Sequence, residues 1–278
     1  MKYQSSHTLA AFLLSAASLI AVVSCQDTDY PAPQPATGPS TVVSRVQFVN
    51  ASPDAASLNF LIENVSSGSA VAPGGSTGYL NAPGGSAAAA SAQLRVDNIG
   101  GTLGTTDVVI KPLLSANPAT TVFVTDTINR PAVRNAAGTV TDAGGVRVVQ
   151  VADPLTQTLV AGSGGVRFFH FVPDLGLPAN STATSPLAAS VRISPATSST
   201  GTTITVTNRA YRAVTPNTFA PIPAGTYRVE VFSGASITGT ATPVASSTIT
   251  VDATKLYTLY AQGLVRRRTV SVGRIQHN

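Results

Sequence analysis

Charge is scarce in this chain: only 10% of its 278 residues are Asp, Glu, Lys or Arg, against roughly 25% in ordinary soluble domains. That excludes a coiled coil and a charged disordered tail, both of which need dense charge. A single cysteine cannot close an internal disulfide, and without partner ligands it cannot hold zinc or an iron–sulfur cluster. Three histidines leave little room for imidazole chemistry, and no metal or other cofactor is expected. The absence of tryptophan weakens any platform for stacking sugars, although tyrosine can serve. Long runs of Leu, Glu, Lys and Ala at helical spacing are missing as well.

What is present points to strands and turns. Val and Thr are stiff at χ1 and suit a pleated sheet, and 23 Gly with 19 Pro supply the turns. The formal charge of +5 comes mostly from scattered arginines and gives no ground for a nucleic-acid partner. At about 150 residues per domain, the length allows one or two domains.

Residues 1–24 read as a secretory leader. Lys2 supplies the positive start, and an apolar run from Leu9 to Val23 follows, shorter than the ~20 residues a permanent membrane helix needs. The run ends in Val22-Val23-Ser24-Cys25. This resembles the lipobox of bacterial lipoproteins, and the resemblance implies that Cys25 carries the lipid and becomes the mature N-terminus. Two or three acyl chains at ~0.8 kcal/mol per buried CH₂ make such anchoring effectively permanent. The implied location is the bacterial envelope, anchored to the outer membrane. Gln26-Asp27-Thr28-Asp29 after the cysteine resembles the export signal of surface-exposed lipoproteins in the Bacteroidetes, and equally suits a solvated tether. Pro31, Pro33, Pro35 and Pro39 make residues 25–43 an extended stalk.

The remainder repeats once. Val46-Gln47-Phe48-Val49-Asn50-Ala51-Ser52-Pro53-Asp54 is answered 120 residues later by Val166-Arg167-Phe168-Phe169-His170-Phe171-Val172-Pro173-Asp174. Asn81-Ala82-Pro83 answers Pro221-Ile222-Pro223, and the strand that follows alternates, with Tyr227, Val229 and Val231 on one face and Arg228 and Glu230 on the other. Short strands at about ten-residue intervals, with no helical crossover between them, predict a sandwich. The expected fold is all-β: two tandem immunoglobulin-like antiparallel β-sandwich domains over 44–160 and 161–278. Gly144 to Val151 and Arg266 to Val272 are the expected closing strands of the two copies, and Ala161-Gly162-Ser163-Gly164-Gly165 is the expected joint.

The Ser-Pro-Asp corner, the strand Pro223-Ala224-Gly225-Thr226-Tyr227-Arg228-Val229 and the strand Lys255-Leu256-Tyr257-Thr258-Leu259-Tyr260-Ala261-Gln262-Gly263 together resemble the bacterial domain of unknown function 4397. That resemblance implies tandem copies in a secreted or lipid-anchored envelope protein. The family has no assigned catalytic residues, so it implies no site.

The candidate sites are few. Asp54 and Asp174 occupy equivalent corners and read either as ligands for a cation or sugar or as turn residues that bond nearby amides. Arg266, Arg267 and Arg268, with Arg274, form the one basic cluster. It reads as a contact for anionic lipid, polysaccharide or an acidic partner, or as a charged edge strand that blocks aggregation. Glu63 and Glu230 sit on apparent strands and read as solvated. His170 shares a face with Phe168 and has neither a cysteine partner nor a Gly-x-Ser-x-Gly elbow nearby. The expected function is a non-enzymatic envelope lipoprotein for adhesion, scaffolding or ligand display. The alternative is a carbohydrate-binding accessory lipoprotein of an uptake system. An exposed row of tyrosines on one sheet face would favour the alternative.

Overall fold

The computed structural model describes residues 43–83, 92–97, 108–110, 119–178, 185–197 and 202–278. The leader, Cys25 and the stalk up to residue 42 lie outside the described residues. The all-β expectation holds: the described residues form eighteen strands and no helix. The first half runs β1 (Val43–Asn50), β2 (Asn59–Ile62), β3 (Val65–Ser66), β4 (Ser76–Pro83), β5 (Leu94–Asp97), β6 (Val108–Ile110), β7 (Ala119–Thr125), β8 (Val133–Arg134), β9 (Val140–Asp142) and β10 (Arg147–Ala152). The second runs β11 (Ser163–His170), β12 (Ala189–Pro195), β13 (Ile204–Arg209), β14 (Ala220–Pro223), β15 (Gly225–Ser233), β16 (Ala245–Val251), β17 (Leu256–Gln262) and β18 (Ser271–Gln276).

The sequence repeat reappears strand for strand. One sheet of the first half has the order β10-β7-β1-β4, and its counterpart in the second half has β18-β17-β11-β14. The other two sheets run β3-β2-β5-β6 and β13-β12-β15-β16. Among the described strands, only the small hairpin β8–β9 has no counterpart. Pairing is antiparallel throughout these four sheets except at one place in each half, where β1 lies parallel to β7 and β11 parallel to β17.

Three apolar cores join the four sheets into a stack. The first, with Val46, Phe48, Phe60, Leu94 and Val122, fills the space between the two sheets of the first half. The second, with Phe168, Val191, Val229, Tyr257 and Leu259, does the same in the second half. The third, with Val49, Phe123, Val149, Phe169, Phe171, Tyr260 and Ile275, lies between the β10-β7-β1-β4 and β18-β17-β11-β14 sheets. These inner sheets are therefore covered on both faces. Val122 and Val124 point into the first core while Phe123 points the other way. In β11, Phe168 faces the second core and Phe169 faces the third. Every residue of β7 and β11 is buried, which is why these segments lack the polar alternation of a half-exposed strand.

Four local expectations need correction. Ala161 to Gly165 is not a loose joint: Ser163, Gly164 and Gly165 are buried in β11. Glycine is required there for close approach, since a Cβ on Gly164 would come within 2.5 Å of Val251 and one on Gly165 within 2.7 Å of Leu256. The closing strand of the second half starts at Ser271, because Val265 to Arg268 form a turn closed by the Arg268 N–H on the Val265 carbonyl at 2.9 Å. Glu63 lies in the tight turn after β2, with φ of 51°. Glu230 is not solvated: it is buried on β15 under Arg192 and Arg228, at 2.7 and 3.1 Å.

Candidate functional site

The two corner aspartates do equivalent work. Asp54 Oδ1 accepts the Ile128 N–H at 2.9 Å, just beyond β7. Asp174 accepts the N–H groups of Val265 and Arg266 at 2.8 and 3.0 Å, just beyond β17. In each half the carboxylate thus ties the end of the first strand to the loop that follows its parallel partner. Both acids hold backbone, which is the turn chemistry of the corner. Arg266, Arg267 and Arg268 are exposed on the turn that Asp174 holds. Only Arg266 approaches that carboxylate, at 3.9 Å. Arg274 stands apart on β18, where it donates to the Thr250 carbonyl at 3.2 Å.

The densest polar chemistry lies elsewhere, between the inner sheets. Asp153, just after β10, pairs with Arg167 of β11. Asp153 Oδ2 also accepts the hydroxyls of Tyr79 and Thr121, each at 2.7 Å. The Tyr79 oxygen lies 2.7 Å from Nδ1 of His277, and His277 Nε2 lies 2.6 Å from the Thr258 hydroxyl. The Thr258 oxygen in turn accepts from Arg167 Nε at 2.7 Å. The five groups Asp153, Tyr79, His277, Thr258 and Arg167 form a closed ring. With Tyr79 donating to Asp153, His277 carries its proton on Nδ1 and accepts from Thr258 on Nε2, and each group is satisfied with the imidazole neutral. Burial lowers the His277 pKa to about 4 and pushes the Tyr79 hydroxyl well above its ordinary value.

A hydroxyl and an imidazole stand here as in a hydrolytic relay, but the Tyr79 hydroxyl separates the imidazole from the Asp153 carboxylate. Thr258, however, is fully buried and its proton points at His277 inside the interface, so a substrate cannot reach it. The ring locks the two halves together.

A second set of groups holds the opposite side of the seam. Asp126, buried just after β7, accepts the Tyr211 hydroxyl at 2.6 Å. Its other oxygen faces Arg130, Arg147 and Arg212. Tyr211 and Arg212 come from a strap, residues 210–219, that crosses to the first half. Arg209 pins this strap by donating to the carbonyls of Phe168, Thr215 and Pro216 at 2.9, 2.6 and 2.9 Å. Val214 of the strap enters the third core, and Asn217 donates to the Ala152 carbonyl at 3.2 Å.

His170 has a structural role. Its Nε2 donates to the Leu187 carbonyl at 3.1 Å and its Nδ1 accepts the Val172 N–H at 3.3 Å. Burial lowers its pKa to about 4. None of the thirteen phenylalanines and tyrosines among the described residues is exposed, so the row of tyrosines that would favour the carbohydrate alternative is absent from them. No group of three or more His, Cys, Asp or Glu among the described residues is placed to hold a metal ion.

Sequence reasoning missed the ring and the strap. One signal was available: Arg167 is a lone charge inside a run that is apolar on both strand faces, and a charge in such a place needs a buried partner.

No family model and no curated protein matches the chain. A solved structure described as alpha-glucan binding by a streptococcal virulence factor is similar over 82% of this chain and 96% of its own length, at 10% identity and a TM-score of 0.21. A likeness of that size carries no argument about this chain.

Proposed function

We propose that this is a lipid-anchored protein of the bacterial envelope whose body is a rigid, non-enzymatic module for display, scaffolding or adhesion. One observation carries the non-enzymatic part. The groups best suited to acid–base chemistry in the described body, His170, His277, Asp153 and Asp126, are buried and engaged in holding strands and halves together. The anchor rests on Val22-Val23-Ser24-Cys25 and the proline-rich segment after it. The tandem motifs similar to the domain of unknown function 4397 agree with an envelope location.

The partner in this reading is a polysaccharide or another envelope protein. Since the described aromatic rings are turned inward, a glycan would be held by hydrogen bonds and charge rather than by stacking. Anchoring is tested by detergent phase partition. Wild-type protein should enter the detergent phase and Cys25→Ser the aqueous phase. A Cys25→Ser variant still labelled by palmitate would defeat the anchor.

A further inference from the structure

One cluster has more donors than the fold uses. Arg130 and Arg147 of the first half and Arg212 of the second converge on Asp126 Oδ2, at 3.7, 3.7 and 3.6 Å. These distances are ion pairs without hydrogen bonds, and Oδ2 accepts none. The second carboxylate, Asp142, accepts hydrogen bonds from Arg130 and Arg147, and these hold its pKa well below the usual carboxylate range. Three guanidiniums face two carboxylates, which leaves one positive charge over.

The donor count points the same way. Each guanidinium carries about five N–H groups, yet among the described residues the three guanidiniums donate three hydrogen bonds in all: the two to Asp142 and one from Arg130 Nε to the Gly145 carbonyl. The Arg212 side chain makes none, and its Nε is buried without a partner. The fold nonetheless fixes Arg212 firmly. Its backbone is held at φ of 59° with its N–H on the His170 carbonyl at 2.9 Å. Burial and the neighbouring Arg147 both lower its pKa. The solvent side stays open, with the Arg147 and Arg212 side chains 33% and 28% exposed.

We infer that Arg147 and Arg212, backed by Arg130, bind one carboxylate group at the seam between the two halves. A single negative charge matches the excess of one. The planar fork of a guanidinium matches the two oxygens of a carboxylate. Asp126 lies buried behind the guanidiniums, so the incoming carboxylate meets their outer edges and not the aspartate. Because the arginines come from both halves, a bound carboxylate adds a bridge across the seam. This site extends the binding-module reading to a ligand class and does not depend on the lipid anchor.

The test uses the full chain in detergent, with arginine nitrogens labelled and the side-chain Nε–H signals followed by NMR. D-glucuronate and N-acetylglutamate amide are titrated as two sources of the carboxylate, with D-glucose as the uncharged match. Both acids should shift the Arg212 signal saturably and glucose should not. Arg212→Gln should weaken binding roughly tenfold or more, read on Arg147. Arg212→Lys keeps the charge without the fork and should give a smaller loss, which covers the case that the glutamine variant misfolds. Arg274→Gln should leave binding unchanged. Stronger binding of glucuronate would make the carrier an acidic glycan, and of acetylglutamate a protein. The same shift at every arginine, no saturation, or undiminished affinity in both Arg212 variants would overturn the site.

Discussion

Arg167 and Asp153 form an ion pair whose side chains are 1% and 0% exposed, one from each half of the molecule. Removing one member of such a pair leaves a charge with no partner and costs about 3–5 kcal/mol. Asp153→Leu should therefore destabilise by that amount in urea unfolding, and Arg167→Met should do nearly the same. The double variant should lose less than the sum of the two by about 1–3 kcal/mol, because neither charge is then stranded. Strict additivity would show that the pair does not couple the halves.

Acid should weaken the same interface through His277 and the second half through His170. Burial holds His277 and His170 at about 4, below the ordinary 6.5. His277 is faced by Tyr79, Asp153, Arg167, Thr258 and the Phe219 ring, and His170 by the Leu187 carbonyl, the Val172 N–H and the Tyr211 ring. In the unfolded chain each imidazole takes a proton near 6.5, and in the fold only near 4. Their contribution is complete above pH 6.5, falls as pH drops through that window, and is gone below about 4. Each can supply about 3 kcal/mol. Unfolding free energy measured between pH 7 and 4 should fall accordingly, and His277→Gln should flatten the slope. An unchanged slope in that variant would remove His277 from the explanation.

How much of this was legible depended on which face a residue serves. On β15, Tyr227, Val229 and Val231 all enter the second core, and period-two alternation announces it. The repeat was legible from the Pro-Asp corners, because each corner does one job that its residue types disclose: proline sets the bend and aspartate ties down the next loop. The inner sheets were harder. A strand buried on both sides loses its alternation, so Phe168-Phe169-His170-Phe171 betrays burial without saying what lies on either side. The ring was illegible, since Tyr79, Asp153 and His277 are far apart in the chain and meet only when the two inner sheets pack. The turn at Arg266 to Arg268 was misplaced because Val270 and Val272 flank it with an apolar pattern that continues the strand in sequence.

The corner aspartates should differ in weight. Asp174 accepts two backbone N–H groups and Asp54 one. An asparagine offers one side-chain acceptor oxygen, so Asp174→Asn strands an amide and costs about 1–3 kcal/mol, while Asp54→Asn costs about 1 kcal/mol or less. Amide exchange at Val265 and Arg266 should quicken in Asp174→Asn alone. Equal losses of stability in the two variants would show that the second amide bond of Asp174 carries no weight.

Limited proteolysis separates a fused body from two loosely joined ones. The segment Ala161 to Gly165 is rich in glycine, and on composition alone it is an inviting place to cut. In the fold, however, Ser163 to Gly165 pair with Pro221 to Pro223, and the Gly165 N–H donates to the Lys255 carbonyl at 2.8 Å. A protease needs an extended stretch of free backbone, and freeing this one means peeling β11 from β14 and β17 and opening two cores at once. The proline-rich residues 30–42 carry little apolar surface to bury. The first cut should therefore fall N-terminal to Val43, and no early cut should fall between Ala161 and Gly165. N-terminal sequencing of the products against time decides the matter: two fragments of near-equal size that separate without denaturant would mean that the third core does not hold the halves together.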